Sequence, residues 1–426
     1  MTKRASTIGL TTLALLAGML ACANAATAQS PDLRDVVVQK DGKEVRGRIA
    51  HPFADGPLVL LQGNKRVRVE RESIASIDDV ASRLAEFFRR RQKLHDKPAA
   101  QRLLFEWASS HGLERMAQLH AMESCLRSDD SFGHEALGHE RRAGIWLWPH
   151  RGRQLTLEQF QNALASDPLA LTGERFTVRI DGNLLGGVHA LLDLERMGVH
   201  WMSEFGAALQ LDEALDPVVV DVRATSNGFQ KWGFKPMPWH EPKPHGDVSR
   251  TFYASAMQAR PQRLFFAGAH GLLYRTLTGE TNSRDDRDRV CAWLEIGLSM
   301  AMETTMQGDA GWAEPGLARA QNLWAAQAIT REIDLVRLMH QPMFGGFYLL
   351  DDAATQGNWA LATTFTLWAL RSDATPPVRD RFLAYIRSAL GNRRSESTTA
   401  FERAMGKKAQ EFATPFREWL AAESSR

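Results

Sequence analysis

Apolar and polar residues alternate with a period of two near the start of the chain and recur every three to four residues over most of the remainder. Between Asp35 and Asp78, Val36-Val37-Val38 leads into an Asp41-Gly42 turn and Val45 to Ile49 alternates. Leu58-Val59-Leu60-Leu61 then precedes Gly63-Asn64, and Val67-Arg68-Val69 alternates again before Ile74 and Ile77. Four short strands with glycine-containing turns predict a small β-barrel-like module over residues 31–79. A unit of that size buries little apolar surface unless it packs on its neighbours.

Helical stripes take over from Val80 to Leu147: Leu84, Phe87 and Phe88, then Leu103, Leu104 and Trp107, then Leu113, Met116, Leu119 and Met122. Ser110-His111-Gly112 and Ser128-Asp129-Asp130 punctuate them as helix stops and caps. Residues 80–150 therefore read as a helical-hairpin, tetratricopeptide-like module, with His150 to Gln154 as a linker.

Beyond Leu155 the pattern is mixed. Phe176 to Ile180 predicts a strand, Leu184 to Leu211 a long amphipathic helix, and Val218 to Val222 a buried strand. Pro236 to His245 reads as loop. Phe252-Tyr253-Ala254 is a further strand, and Arg263 onward enters a helix through His270 and Tyr274. After Asp288 nearly everything is helical: Val290 to Thr305, Pro315 to His340, Ala353 to Leu370, Val378 to Leu390 and Ser397 to Leu420. The class is α+β, with a β/α core over residues 155–275 and a helical half over 276–426.

The N-terminus changes the picture of location. Lys3 and Arg4 precede the apolar run Ile8 to Ala21, and Ala23-Asn24-Ala25 and Ala26-Thr27-Ala28 follow, the grammar of a cleaved secretory signal over residues 1–28. Acylation at Cys22 is disfavoured, because Met19-Leu20-Ala21 departs from the usual approach to a lipidated cysteine. Two of the 52 basic residues fall in that leader, leaving 50 against 50 acids afterwards. With no basic stripe, nucleic acid is a poor partner. No later apolar run is long enough to span a membrane. Cys125 and Cys291 lie in helical patterns in different segments and are expected as buried thiols rather than a disulfide. The 12 tryptophans, among them Trp293, Trp312, Trp324, Trp359 and Trp368 in the helical half, are expected inside, since aromatic stripes at helical spacing usually face a core.

Three histidine clusters are candidates for chemistry. His134-Glu135-Ala136-Leu137-Gly138-His139 resembles H-E-x-x-H with one residue too many. On a continuous helix an i,i+5 pair stands about 140° apart, so the two rings cannot grip one ion unless the helix breaks. A solvated helix is the expectation there. His240-Glu241-Pro242-Lys243-Pro244-His245 has the same spacing with two prolines and reads as an exposed loop.

The third cluster is Phe265-Phe266-Ala267-Gly268-Ala269-His270-Gly271-Leu272-Leu273-Tyr274, followed by Ala292-Trp293-Leu294-Glu295-Ile296-Gly297-Leu298-Ser299. This pair resembles the gluzincin metallopeptidases, specifically the peptidase-MA-like bacterial proteins, whose segments read H-E-x-x-H-x-L-L-Y and W-L-x-E-G-L-A. The phrases Leu104 to Ala108, Gly144-Ile145-Trp146, Val218 to Phe229 with Phe252-Tyr253, and Phe401 to Gly406 extend the likeness over most of the chain, each weak singly. The resemblance places the second zinc histidine at His270. It places the first on Phe266, the general-base glutamate on Ala267 and the third ligand on Ile296. Three of four chemical positions are apolar.

Catalytic zinc takes about three protein ligands and an open position for water, and one imidazole does not meet that count. The reading is an exported, non-catalytic relative of zinc peptidases, without cofactor, that keeps a cleft around His270, Tyr274, Trp293, Glu295 and Glu303 as a binding or scaffolding surface for a peptide or protein. One alternative is an active metallohydrolase whose zinc site is rearranged around His270, with Glu295 one residue from the ligand position and Glu303 two turns along. Another is a structural envelope protein working through its N-terminal modules. Phosphate-loop, G-x-G-x-x-G and G-x-S-x-G signatures are absent.

Overall fold

A computed structural model of the chain describes residues 34–94, 97–213, 216–223, 239–241, 248–252, 262–277, 291–306, 316–347, 352–371, 376–391 and 397–425. The leader with Cys22, together with Tyr253, His245 and Trp312, lies outside the described residues.

Strands β1 (Asp35–Gln39), β2 (Glu44–Ile49), β3 (Leu58–Gln62), β4 (Lys65–Val69) and β5 (Ile74–Asp78) form one antiparallel sheet in the order β4-β3-β2-β1-β5. Alternation puts Val37, Val45, Ile49, Leu58, Leu60 and Val69 on one face, a small core of their own. The sequence predicts four strands in a barrel; the structure has five in an open sheet. β5 joins beyond β1, so β4 and β5 are opposite edges with no ladder between them. Its alternation is faint because four of its five residues are exposed.

Helices α1 (Val80–Gln92), α2 (Pro98–Ser110), α3 (Glu114–Ser128) and α4 (Ser131–Ala136) follow. Asp79 caps α1 by accepting from the Ser82 amide, as an N-cap aspartate does. Buried Glu123 on α3 accepts from Arg91 of α1 at 2.8 Å and pairs with His189 at 3.0 Å. Burial would raise this carboxyl, but those partners hold it at about 2.

Residues 140–155, expected as the end of a helix and a linker, are instead a three-stranded antiparallel meander: β6 (Glu140–Arg142), β7 (Ile145–His150) and β8 (Arg153–Leu155). Its joints are two-residue turns at Ala143-Gly144 and Arg151-Gly152, with positive φ at both residues of each. That backbone matches the twist of paired strands. Trp146 and Trp148, two apart, share a face.

Helix α5 (Leu157–Leu164), closed by a Thr156–Gln159 capping box, leads to β9 (Leu169–Thr172), β10 (Phe176–Ile180), α6 (Leu184–Leu209), β11 (Val218–Arg223), β12 (Trp239–Glu241) and β13 (Val248–Phe252). The second sheet runs β12-β13-β11-β10-β9, parallel at β10/β11 and β11/β13 and antiparallel at its two outer pairs. The stretch expected as loop thus contributes an edge strand, the place in a sheet where flanking prolines are tolerated. Helix α6 crosses between the parallel strands β10 and β11 and packs on β10, α1 and α3, with buried residues along its whole 26-residue length.

The helical half comprises α7 (Gln262–Leu277), α8 (Ala292–Met306), α9 (Gly316–Ile329), α10 (Leu335–Met339), α11 (Asp352–Arg371), α12 (Pro376–Gly391), α13 (Ser397–Met405) and α14 (Ala413–Ser424). Two expected long helices are each split, at residues 330–334 and at Gly406, which has a φ of 71°. α8 lies against α7 and α11 and is buried on all sides from Ala292 to Thr304. A helix apolar all round belongs in a core. One continuous cluster runs from Leu84 to Leu420, joining α1–α3, the second sheet and the helical half. Among the described residues no helix is long and apolar enough to cross a membrane.

Candidate functional site

The two segments expected to correspond to a zinc-peptidase motif lie where α7 meets α8. His270 sits on α7, and its Nε2 meets Oε1 of Glu295 on α8. Both are buried, at 3% and 2% exposure. Burial pushes the His270 ring down to about 3, which favours the neutral imidazole at its contact with Glu295. One turn earlier, Phe266 stacks on Trp359 at 5.1 Å and tilts against the His270 ring at 5.4 Å. Ala267 and Ile296 are wholly buried.

Of the residues expected to wall a cleft, His270, Trp293, Glu295 and Glu303 are buried. Trp293 is fully enclosed among Phe365, Phe382, Tyr385 and Phe401. Glu303, two turns along α8 from Glu295, is also buried. Tyr274 lies on α7, its side chain outside the described set. Gly297 explains the tight fit: a Cβ there would stand 2.2 Å from Thr366 Oγ1 and 2.8 Å from the Ala362 carbonyl, so α8 and α11 touch backbone to side chain. Among the described residues no third metal-ligating group joins His270 and Glu295.

The expectation of a solvated helix at His134–His139 fails for an identifiable reason. Helix α4 ends at Ala136, and Gly138 takes a φ of 70°. The Gly138 amide donates to the Glu135 carbonyl at 3.0 Å and the His139 amide to the His134 carbonyl at 2.9 Å. These bonds make a Schellman ending, which folds the chain back and brings the residue after the glycine onto the one five positions earlier. The two rings, about 140° apart on a straight helix, therefore meet: His134 Nδ1 and His139 Nδ1 are 2.8 Å apart.

Cys125 Sγ on α3 joins them, all three ligand atoms lying within 4.8 Å of one another. Gly133 permits this approach, since a Cβ would come within 2.5 Å of the Ala121 carbonyl and 2.8 Å of the Cys125 amide nitrogen. Asp129, held at a φ of 48°, accepts from His134 Nε2 at 3.2 Å and so leaves Nδ1 facing the cluster. Trp146 stacks on His134 at 4.6 Å and Trp148 lies 4.2 Å from His139. Burial pushes the Cys125 thiol up to about 12 and the His139 ring down to about 4. Both cysteines, Cys125 and Cys291, are free and buried.

A cavity of about 700 Å³ opens between the first sheet, α1 and α6. Phe53, Ile77 and Met202 supply apolar walls, and Arg34, Arg48, Arg115 and Arg175 face Asp35, Glu174, Glu213 and Asp216. Arg34 donates to Glu174 at 2.6 Å and Arg175 to Glu213 at 2.7 Å. Arg175 is 5% exposed, yet among the described residues its Nε and Nη1 have no acceptor. Glu195, behind it, accepts from the Arg175 and Phe176 amides, and burial pushes its carboxyl up to about 7. No sequence signal marked this cavity, because its walls come from separate segments spread between Arg34 and Pro217.

No protein-family model matches the chain, and a search of curated proteins finds no match.

Proposed function

We propose that the chain is an exported, non-catalytic relative of gluzincin peptidases that binds a peptide or protein segment, with the cavity between the first sheet and α6 as the docking recess. The packed interior at His270 carries the reading. Phe266 on Trp359 fills the place that the resemblance gives to a zinc histidine, and the one surviving imidazole is occupied by Glu295. Ala267 stands where the resemblance gives the general-base glutamate, and general-base help is worth typically about 10²–10⁴-fold. Binding moves to the cavity because it is a recess with room for a ligand, and its mixed charges on apolar walls suit a segment bearing both signs of charge. The basic and apolar start of the sequence supports export.

A second reading keeps an active hydrolase, on the strength of the His270–Glu295 contact itself, which sets two donors of a relocated zinc site side by side. One set of measurements separates them. Peptides from a random pool should be retained by the full chain, released by Ala85→Trp at the cavity wall, and recovered uncleaved. Zinc content should be the same in His270→Ala as in the parent. Cleavage of the peptides, or zinc that leaves with His270, overturns the proposal in favour of the hydrolase.

A further inference from the structure

We propose that Cys125, His134 and His139 form a binding site for a thiophilic divalent transition-metal ion, zinc first, with Asp129 as the positioning carboxylate on His134. The donor set is one thiolate and two imidazoles, a mixture that suits zinc or copper and is poor for magnesium or calcium.

The geometry needs little adjustment. Two nitrogens on one tetrahedral zinc, each at about 2.0 Å, stand about 3.3 Å apart. Here they are 2.8 Å apart, so an opening of about half an ångström admits the ion. One ring nitrogen of each histidine lies within 4.8 Å of Cys125 Sγ, which itself donates to the Met122 carbonyl at 3.3 Å. A shared proton between two neutral rings accounts for the nitrogen contact, and the cysteine, from another helix, adds a third donor atom within reach.

Three separate local devices produce that convergence: the Schellman reversal at Gly138, the close approach of Gly133 to α3, and Asp129 in the left-handed region. Asp129 does what second ligand-shell carboxylates do at histidine–metal sites: it takes the proton of the far ring nitrogen and fixes the near one as a lone pair. Trp146 and Trp148 cover the rings and limit water, while His139 is only half-buried and gives an entry path. Three protein donors leave a fourth position for water or an added ligand. The site stands apart from α7 and α8 and does not depend on the reading given to His270.

Cobalt is the probe, because a cobalt–thiolate bond has a near-ultraviolet charge-transfer band that an imidazole or carboxylate site lacks. The full chain, stripped of metal, is titrated with Co²⁺ and then with Zn²⁺. One Co²⁺ per chain with the thiolate band, displaced by Zn²⁺, is the expected result. Cys125→Ser should abolish the band, and His139→Ala should weaken binding more than Asp129→Asn, which costs about tenfold. Should Cys125→Ser fail to fold, His139→Ala at its half-buried position still decides. Failure to bind cobalt, binding without the thiolate band, or affinity unchanged in His139→Ala overturns the proposal. His270→Ala should leave the titration untouched. Metal lost with that variant counts against the proposed function, and metal lost with Cys125 supports this site, so the two can fail separately.

Discussion

The interior around His270 and the corner around His134 both start from a histidine on a helix, and they differ in what the neighbouring element delivers. At His270, α8 and α11 close in with aromatic and aliphatic groups, and one carboxylate takes up the ring. At His134, a broken helix and a neighbouring one deliver two more soft donors, while an aspartate occupies the far nitrogen. The segment read from sequence as metal-enzyme-like is thus packed shut, and the one with the wrong spacing is the one that gathers donor atoms. Spacing along a sequence predicts ligation only when the backbone between the ligands keeps the assumed geometry.

The largest test of that contrast is Phe266→Ala. If the degenerate motif is core, removing a fully buried ring should cost about 3–5 kcal/mol in denaturant-induced unfolding. A loss below about 1 kcal/mol, on the scale of a surface change, would mean the space around His270 is not tightly filled.

Next comes pH. The His270 ring is held at about 3 in the fold and near 6.5 when unfolded. Between those values the unfolded chain binds the extra proton, so the ring's contribution is present above about 6.5 and is lost as pH falls. His270→Gln should be less stable than the parent at pH 7, and the gap should narrow on acidification by up to about 1.4 kcal/mol per pH unit. A gap that stays constant from pH 7 to 4.5 would show that the ring is not kept neutral.

The smallest effect concerns the turn. Gly138→Ala puts a side chain at a φ of 70°, costing about 1–2 kcal/mol. The same change should weaken Co²⁺ binding, because the reversal sets the distance between the rings. Equal cobalt affinity in parent and variant would separate the donor cluster from the Schellman ending.

Much of the fold was legible. Phe176–Ile180 and Leu184–Leu209 follow from a buried strand pattern and a long amphipathic period, and both appear at nearly the expected positions. Continuous apolar periodicity also located α8 and α11. What escaped was set by single residues at turns. Trp146 and Trp148 looked like a helix ending, whereas Ala143-Gly144 and Arg151-Gly152 turn that segment into paired strands. His134 and His139 were judged on a straight helix, although Gly138 directly after Leu137 is the ordinary sign of a helix end. Cys125 reads from sequence as a buried thiol rather than a disulfide partner, and no one-dimensional signal shows that it stands against residues nine and fourteen positions on. The cavity escaped for a plainer reason: its charges converge only in three dimensions.

The unclosed first sheet has a consequence for association. Among the described residues no strand pairs with the outer side of β4, an edge of backbone donors and acceptors that in another protein would invite a strand from a second molecule. Here that border is Lys65-Arg66-Val67-Arg68-Val69, with its three cationic side chains exposed. Two copies meeting border to border would bring like charges together at every attempt. The open sheet therefore carries its own guard against runaway stacking, and replacing Arg66 and Arg68 with threonine would remove it.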